Sequence, residues 1–131
     1  MVQGIRVHQT GGPEVLTYES FDLAPPKPGE ARVRHTAIGL NFIDCYFRSG
    51  LYPAPAGLPL VPGNEGAGVV VALGEGVTNV AVGDRVAYVA AIGSYAEERN
   101  VVADRLVKIP DGVADDVAAA AMLKGMTAQY L

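Results

Sequence analysis

A mainly β fold with many turns is predicted by two observations. Short segments alternate apolar and polar residues at the two-residue period of a half-buried strand, and glycines and prolines punctuate the apolar runs. The 16 Gly and nine Pro exceed average usage, yet they form no low-complexity tract, and no repeat of fixed period is visible.

Taken in order, Gln3 to His8 reads as the first strand, with Ile5 and Val7 on one face and Gly4, Arg6 and His8 on the other. "GGPEV" turns the chain, Val15 to Phe21 returns as a strand, and "APPKPGE" closes it, since proline cannot donate to a central ladder. Ala31 to Leu40 is a third strand ending at Gly39, with Val33, His35 and Ala37 facing opposite to Arg32, Arg34 and Thr36. Asn41 is then a good N-cap, and Asp44 lies in the first turn near the positive end of the helix dipole. A short helix over 42–49 stopped by Gly50 is expected, followed by the proline-rich loop "LYPAPAGLPLVPG". Strands follow at Gly66 to Leu73, Asp84 to Ala91 and Tyr95 to Val102, with "GEGVTN" and "IPDG" as turns. Ala114 to Ala121 is alanine-rich with Asp115 and Asp116 in its first turn, hence helical; Gly125 interrupts, and Met126 to Leu131 opens a further helix. The pattern stops inside an element, so a fragment of a longer protein is expected.

Composition narrows the function. With 131 residues, half of them apolar, the chain can bury about two-thirds of its unfolded surface as one domain. Ten Lys and Arg against 14 Asp and Glu give a net charge of −4 with the signs interspersed, so no basic block tracks phosphates and nucleic acid is not an expected partner. The lone Cys45 excludes an internal disulfide framework, no basic leader precedes a long apolar run, and no run is long enough for a bilayer; a cytoplasmic protein without membrane partners is the expectation.

The segment "PGNEGAG" places Asn64 and Glu65 side by side in a glycine-dense turn against the apolar run Val69 to Leu73, which holds the polar pair at a defined spot. With "GGPEVL", "AIGLNFIDCYFRSGLYP", "VGDRVAY", "GSYAEERNV" and "AAAAMLKGMTAQYL", it resembles the N-terminal catalytic domain of the medium-chain dehydrogenase/reductase superfamily, in its zeta-crystallin-like quinone oxidoreductase branch. That resemblance implies a GroES-like partly open β-barrel with a few short helices over residues 1–125, and at 126–131 the start of a crossover helix into a Rossmann coenzyme domain. No G-x-G-x-x-G follows a strand here, so the pyrophosphate site of the implied NADPH lies outside this chain. In the zinc-dependent members a cysteine stands at the position of Asn41 and a histidine at that of Asn64. Neutral amides are poor zinc ligands, so no metal site is expected. Glu65 is left either as the survivor of a metal-binding turn or as a carboxylate that satisfies backbone donors.

Without a metal to polarise a carbonyl, the acceptor must take hydride readily, as a quinone does, and the protein aligns donor and acceptor. The resemblance implies catalytic roles for Asn41, Tyr46 and Tyr52, substrate contacts from Asn41, Tyr52 and Asn64, and coenzyme contacts from Phe42, Ile43, Asp44, Cys45, Tyr46, Thr127 and Tyr130. Each has a plainer reading: Asn41 as an N-cap, the tyrosines as packing residues, Cys45 as a packed thiol. Arg48 is expected to pair with Asp44 at helical spacing, Lys124 to be a solvated helix residue, and His8 and His35 to be satisfied strand histidines. The alternatives are reduction of the C=C bond of enones or alkenals, and a non-catalytic GroES-like association module. The resemblance also implies a homodimeric full-length protein, with this piece alone monomeric or weakly associated.

Overall fold

The structure, a computed structural model, describes residues 1–130; the final residue of the expected last helix, Leu131, lies outside the described residues. β1 (Val2–Val7) and β2 (Leu16–Phe21) form an antiparallel ribbon with Ile5 opposite Tyr18. β3 (Glu30–Gly39), β4 (Glu65–Leu73), β5 (Arg85–Val89), β6 (Glu98–Val102) and β7 (Leu106–Lys108) make a five-stranded antiparallel sheet in the order β6-β3-β4-β5-β7. Isolated bridges from Gly4 to Ala96 and from Val7 to Leu60 tie the ribbon to the sheet, giving a partial GroES-like β fold. A side chain at Gly4 would stand 2.9 Å from the Tyr95 carbonyl oxygen and from the Phe21 ring, so this junction needs glycine for close approach.

That junction accounts for two departures from expectation. Gly4, assigned to the outer face of β1, is buried along with Val7, because Tyr95 and Ala96 cover it. The strand expected from Tyr95 begins only at Glu98, since the Tyr95 carbonyl is engaged by the Ile5 N–H at 2.7 Å. "GGPEV" includes a 3-10 turn at Pro13–Val15, with proline at its start. β7 has only three residues, too few to show a period.

Two apolar clusters flank the sheet. Ala31, Val33, Val70, Val86, Tyr88 and Val101 fill the barrel side, and Ala67, Ala87, Ile109 and Ala119 pack on the opposite face. β4 lies between β3 and β5 and is buried on both faces at its start, which is why "EGAGVV" reads as a continuous small and apolar run. α1 (Phe42–Ser49) ends as expected at Gly50, whose φ of 86° suits glycine.

α2 (Asp115–Tyr130) packs on β3, β4 and β5. It runs unbroken through Gly125, correcting the expected interruption. One helical glycine costs only about 1 kcal/mol, and packing of Ala119 and Met122 on Ala67, Ala87 and Ile109 holds the helix in register. Among the described residues no helix is long and apolar enough to cross a membrane.

Candidate active site

β3, β4 and α2 converge where the Asn64–Glu65 pair sits. Glu65 is the first residue of β4 and is fully buried. Its Oε2 accepts from Asn41 Nδ2 at 2.5 Å, and its Oε1 accepts from the Leu123 main-chain N–H at 3.0 Å. An ionised carboxylate only accepts, so the Asn41 amide turns its NH2 toward Glu65 and its Oδ1 away. Lys124 Nζ donates to that Oδ1 at 3.2 Å. The Asn41 amide therefore lies between a buried anion and a cation on α2. Of the two readings of Glu65, the geometry bears on the second: it satisfies a backbone donor, the Leu123 N–H, and it also fixes Asn41.

Asn41 is more than an N-cap. Its main-chain N–H donates to Asp44 Oδ2 at 3.1 Å, closing the first turn of α1, while its side chain reaches Glu65 and Lys124. Asp44 is buried, and its Oδ2 also accepts from the Tyr95 hydroxyl at 2.6 Å, leaving Oδ1 without a partner among the described residues. Burial, and then the hydrogen bond to Asp44, push the Tyr95 phenol well above its ordinary value. The expected Arg48–Asp44 pair does not form: Asp44 faces inward to Tyr95, and Arg48 Nε donates to the Gly11 carbonyl at 3.2 Å.

Asn64 points its Nδ2 at the Ala90 carbonyl, 2.8 Å away, and its buried Oδ1 has no partner among the described residues. Among the described residues Asn41 and Asn64 are thus joined only through Glu65, the neighbour of one and the acceptor of the other. Tyr46 and Tyr52 meet edge to face with centroids 5.4 Å apart, and Tyr52 also packs on Phe47. They are 39% and 43% exposed and Phe42 is 83% exposed, so an aromatic rim stands open beside Asn41. Ile43 and Cys45 are half-buried, with Cys45 Sγ 4.0 Å from Arg48 Nη1. Thr127 returns its hydroxyl to the Leu123 carbonyl at 2.8 Å, and Tyr130 is exposed.

The histidines lie apart from this constellation. His8 pairs with Glu19. The His35 ring bonds the Ala96 carbonyl at 2.7 Å and the Tyr88 hydroxyl at 2.6 Å, and burial lowers its pKa to about 4. A carbonyl accepts, so His35 Nδ1 carries the proton and Nε2 receives the phenol. A cleft of about 520 Å³ is walled by Tyr18, His35, Ile38, Leu40 and Tyr95; Asn41 and Tyr46 do not line it. Its lining is mostly apolar.

The donor set does not suit a catalytic zinc. Two neutral amides occupy the relevant positions, the adjoining carboxylate is spent on Asn41 and Leu123, and among the described residues no three His, Cys, Asp or Glu converge on a metal-sized site. The exposed aromatic side chains of Phe42, Tyr46 and Tyr52 instead suit a flat ring.

Sequence reasoning left out Tyr95 and gave Lys124 a solvated place. Lys124 precedes Thr127 by three residues and so shares its helix face, a spacing that offered a signal once Thr127 was assigned to the cleft. Tyr95 carried none, because only the fold brings it 2.6 Å from a residue 51 positions away.

The alcohol dehydrogenase GroES-like domain family matches residues 27–111. A quinone oxidoreductase of Pseudomonas aeruginosa is 54% identical over 132 residues, covering 100% of this chain and 40% of the relative. The solved quinone oxidoreductase of Pseudomonas syringae pv. Tomato superposes with a TM-score of 0.96 at 53% identity over 99% of this chain and 40% of that one. The Escherichia coli quinone oxidoreductase complexed with NADPH gives 0.94 at 45% identity over 98% and 39%. The chain thus spans about 40% of the length of these relatives.

Proposed function

The chain belongs to the alcohol dehydrogenase GroES-like domain family, and on that premise we propose that it is the catalytic domain of an NADPH-dependent quinone oxidoreductase working without metal. The observation that carries this reading is the clamp on Asn41: at a position where zinc-dependent members have a ligand, this chain has an amide locked between Glu65 and Lys124. The relatives' names and the bound NADPH of the Escherichia coli structure support the choice of acceptor and coenzyme.

Phe42, Tyr46 and the half-buried Ile43 and Cys45 would hold the nicotinamide end of NADPH, and Thr127 and Tyr130 would border it from α2. The bound coenzyme supplies a hydride. The protein's task is then to hold a quinone at reacting distance, exclude water and meet the negative charge that develops on the acceptor oxygen. Asn41 offers an N–H for that charge, fixed in direction by Glu65. Tyr46 and Tyr52 offer aromatic faces and hydroxyls at the rim. Asn64 presents a buried acceptor next to the clamp. With the pyrophosphate site outside residues 1–131, this piece alone binds NADPH weakly and turns over no quinone. The same reading takes the full-length protein as a cytoplasmic homodimer, as the sequence resemblance implies.

The test is NADPH oxidation by the full-length protein with a panel of quinones and enones. Quinone turnover insensitive to chelators, falling about 10²-fold in Asn41→Ala, is the expected result, the size corresponding to one lost charge-stabilising donor. Activity abolished by a chelator and restored by zinc would refute it.

A further inference from the structure

We propose that Lys124 is the anion-binding cation beside Asn41, whose ammonium meets the acceptor oxygen that becomes negative as hydride arrives. This rests on the quinone reading above. In the balanced step, a quinone takes hydride from NADPH, leaving NADP⁺; the ring becomes a hydroquinone monoanion, and a proton from solvent completes the hydroquinone.

Three observations assign the residue. Lys124 Nζ is held at 3.2 Å by Asn41 Oδ1, which uses one of the three donors of an ammonium. Among the described residues no carboxylate lies at ion-pair distance from it, so its charge is not neutralised locally. The nearby anion, Glu65, is fully buried behind Asn41 and spent on Asn41 Nδ2 and the Leu123 N–H. The clamp therefore has two ammonium donors and one amide N–H left to offer, with no carboxylate facing them among the described residues. An oxygen gaining charge is what such a set recognises, and an ammonium donor binds an oxyanion about twice as strongly as a neutral donor does. Phe42, next to Asn41 in the chain and largely exposed, offers a face for the flat ring that carries such an oxygen.

The position in the fold explains why a lysine on an exposed helix turn is fixed. Leu123 and Lys124 are consecutive, so the main-chain contact of one to Glu65 sets where the other's side chain starts. A flexible four-carbon stem then needs only one hydrogen bond to be aimed.

The experiment uses the full-length protein with p-nitrophenolate as a stable stand-in for the hydroquinone monoanion and p-nitroanisole as its uncharged counterpart. In Lys124→Met, p-nitrophenolate affinity is expected to fall about tenfold, the worth of one charge-assisted hydrogen bond, with p-nitroanisole affinity unchanged. Lys124→Arg retains the charge and is expected to stay within about threefold of wild type. The quinone kcat should fall in Lys124→Met, with NADPH affinity unaltered. Unfolding midpoints check that the variants are folded. Equal p-nitrophenolate affinity in wild type and Lys124→Met overturns the proposal, as does a loss confined to NADPH, which would assign the lysine to a coenzyme phosphate. Lysine-dependent phenolate binding in a protein that reduces no quinone would leave the anion site standing and remove the quinone reading.

Discussion

Gly39→Ala adds a single methyl group, yet it should be among the most damaging small substitutions in the barrel. Gly39 ends β3 with backbone outside the left-handed region, so alanine meets no conformational obstacle there. The obstacle is space: a Cβ would lie 2.2 Å from Glu65 Cγ, 2.7 Å from Glu65 Cδ and 2.7 Å from the Ala119 carbonyl oxygen. Glu65 would have to retreat by more than 1 Å to reach the 3.4 Å of ordinary contact. It is fully buried and tethered at both oxygens, so retreat breaks the bond to Asn41 or the bond to Leu123. Overpacking costs about 1–3 kcal/mol, and a lost hydrogen bond to a charged group about 1.5–3 kcal/mol. The combined loss is about 3–5 kcal/mol, read as a shift of the urea midpoint at unchanged slope. Gly76→Ala is the control, because Gly76 has a φ of 82° and nothing within 4 Å of the added methyl. Its cost is the left-handed strain alone, about 1–2 kcal/mol. Combining Gly39→Ala with Glu65→Ala removes two of the three close contacts, so the double variant should lose less than the sum of the singles. A Gly39→Ala protein as stable as Gly76→Ala would refute the claim that Glu65 is rigidly held.

Two further outcomes follow from buried polar groups. His35 has a folded pKa lowered to about 4 by burial, against 6.5 for the exposed ring, so the unfolded chain binds more protons between those values. Its contribution is complete above about pH 6.5 and is lost as pH falls toward 4; wild type should lose about 2–3 kcal/mol more than His35→Gln across that window, measured by urea midpoints. An identical pH slope in the two proteins would contradict this. Tyr95→Phe removes the 2.6 Å donor to Asp44 Oδ2 and leaves a buried carboxylate with the Asn41 N–H alone, so a loss of about 2–3 kcal/mol is expected in chemical unfolding. Equal stability would mean that Asp44 is held by something other than Tyr95.

What the sequence revealed tracks how local each signal is. Alternation located β3, N-cap chemistry located α1, and a glycine with positive φ stopped it at Gly50; each rests on residues within one turn or one pleat. Gly125 misled because local propensity was weighed without the sheet beneath α2, where Ala119 and Met122 supply the stabilisation that glycine lacks. Phe42, Tyr46 and Tyr52 were legible as a group because they lie within or just after one short helix. The Asp44–Tyr95 and Asn41–Lys124 contacts were not, since they span 51 and 83 positions and depend on tertiary packing, that of α2 on the sheet in the second case. Arg48 shows the converse error: helical spacing offered Asp44 a partner, and the fold offered it a better one in Tyr95.

The clamp also bears on how the cleft can move. Glu65 is bonded at once to the β3–α1 junction through Asn41 and to α2 through Leu123. Sliding α2 against the barrel would leave a buried carboxylate short of a donor, and that penalty keeps Asn41 in place whatever happens at the far end of the helix. The rim is held differently: Phe42, Tyr46 and Tyr52 are exposed, and Tyr46 and Tyr52 meet by aromatic edges rather than through buried charge. On the proposed quinone reading, adaptation to acceptors of different shape falls to the rim, while the direction of the donors does not change. On that reading a single scaffold accepts several flat electrophiles and still delivers the same charge to the oxygen of each.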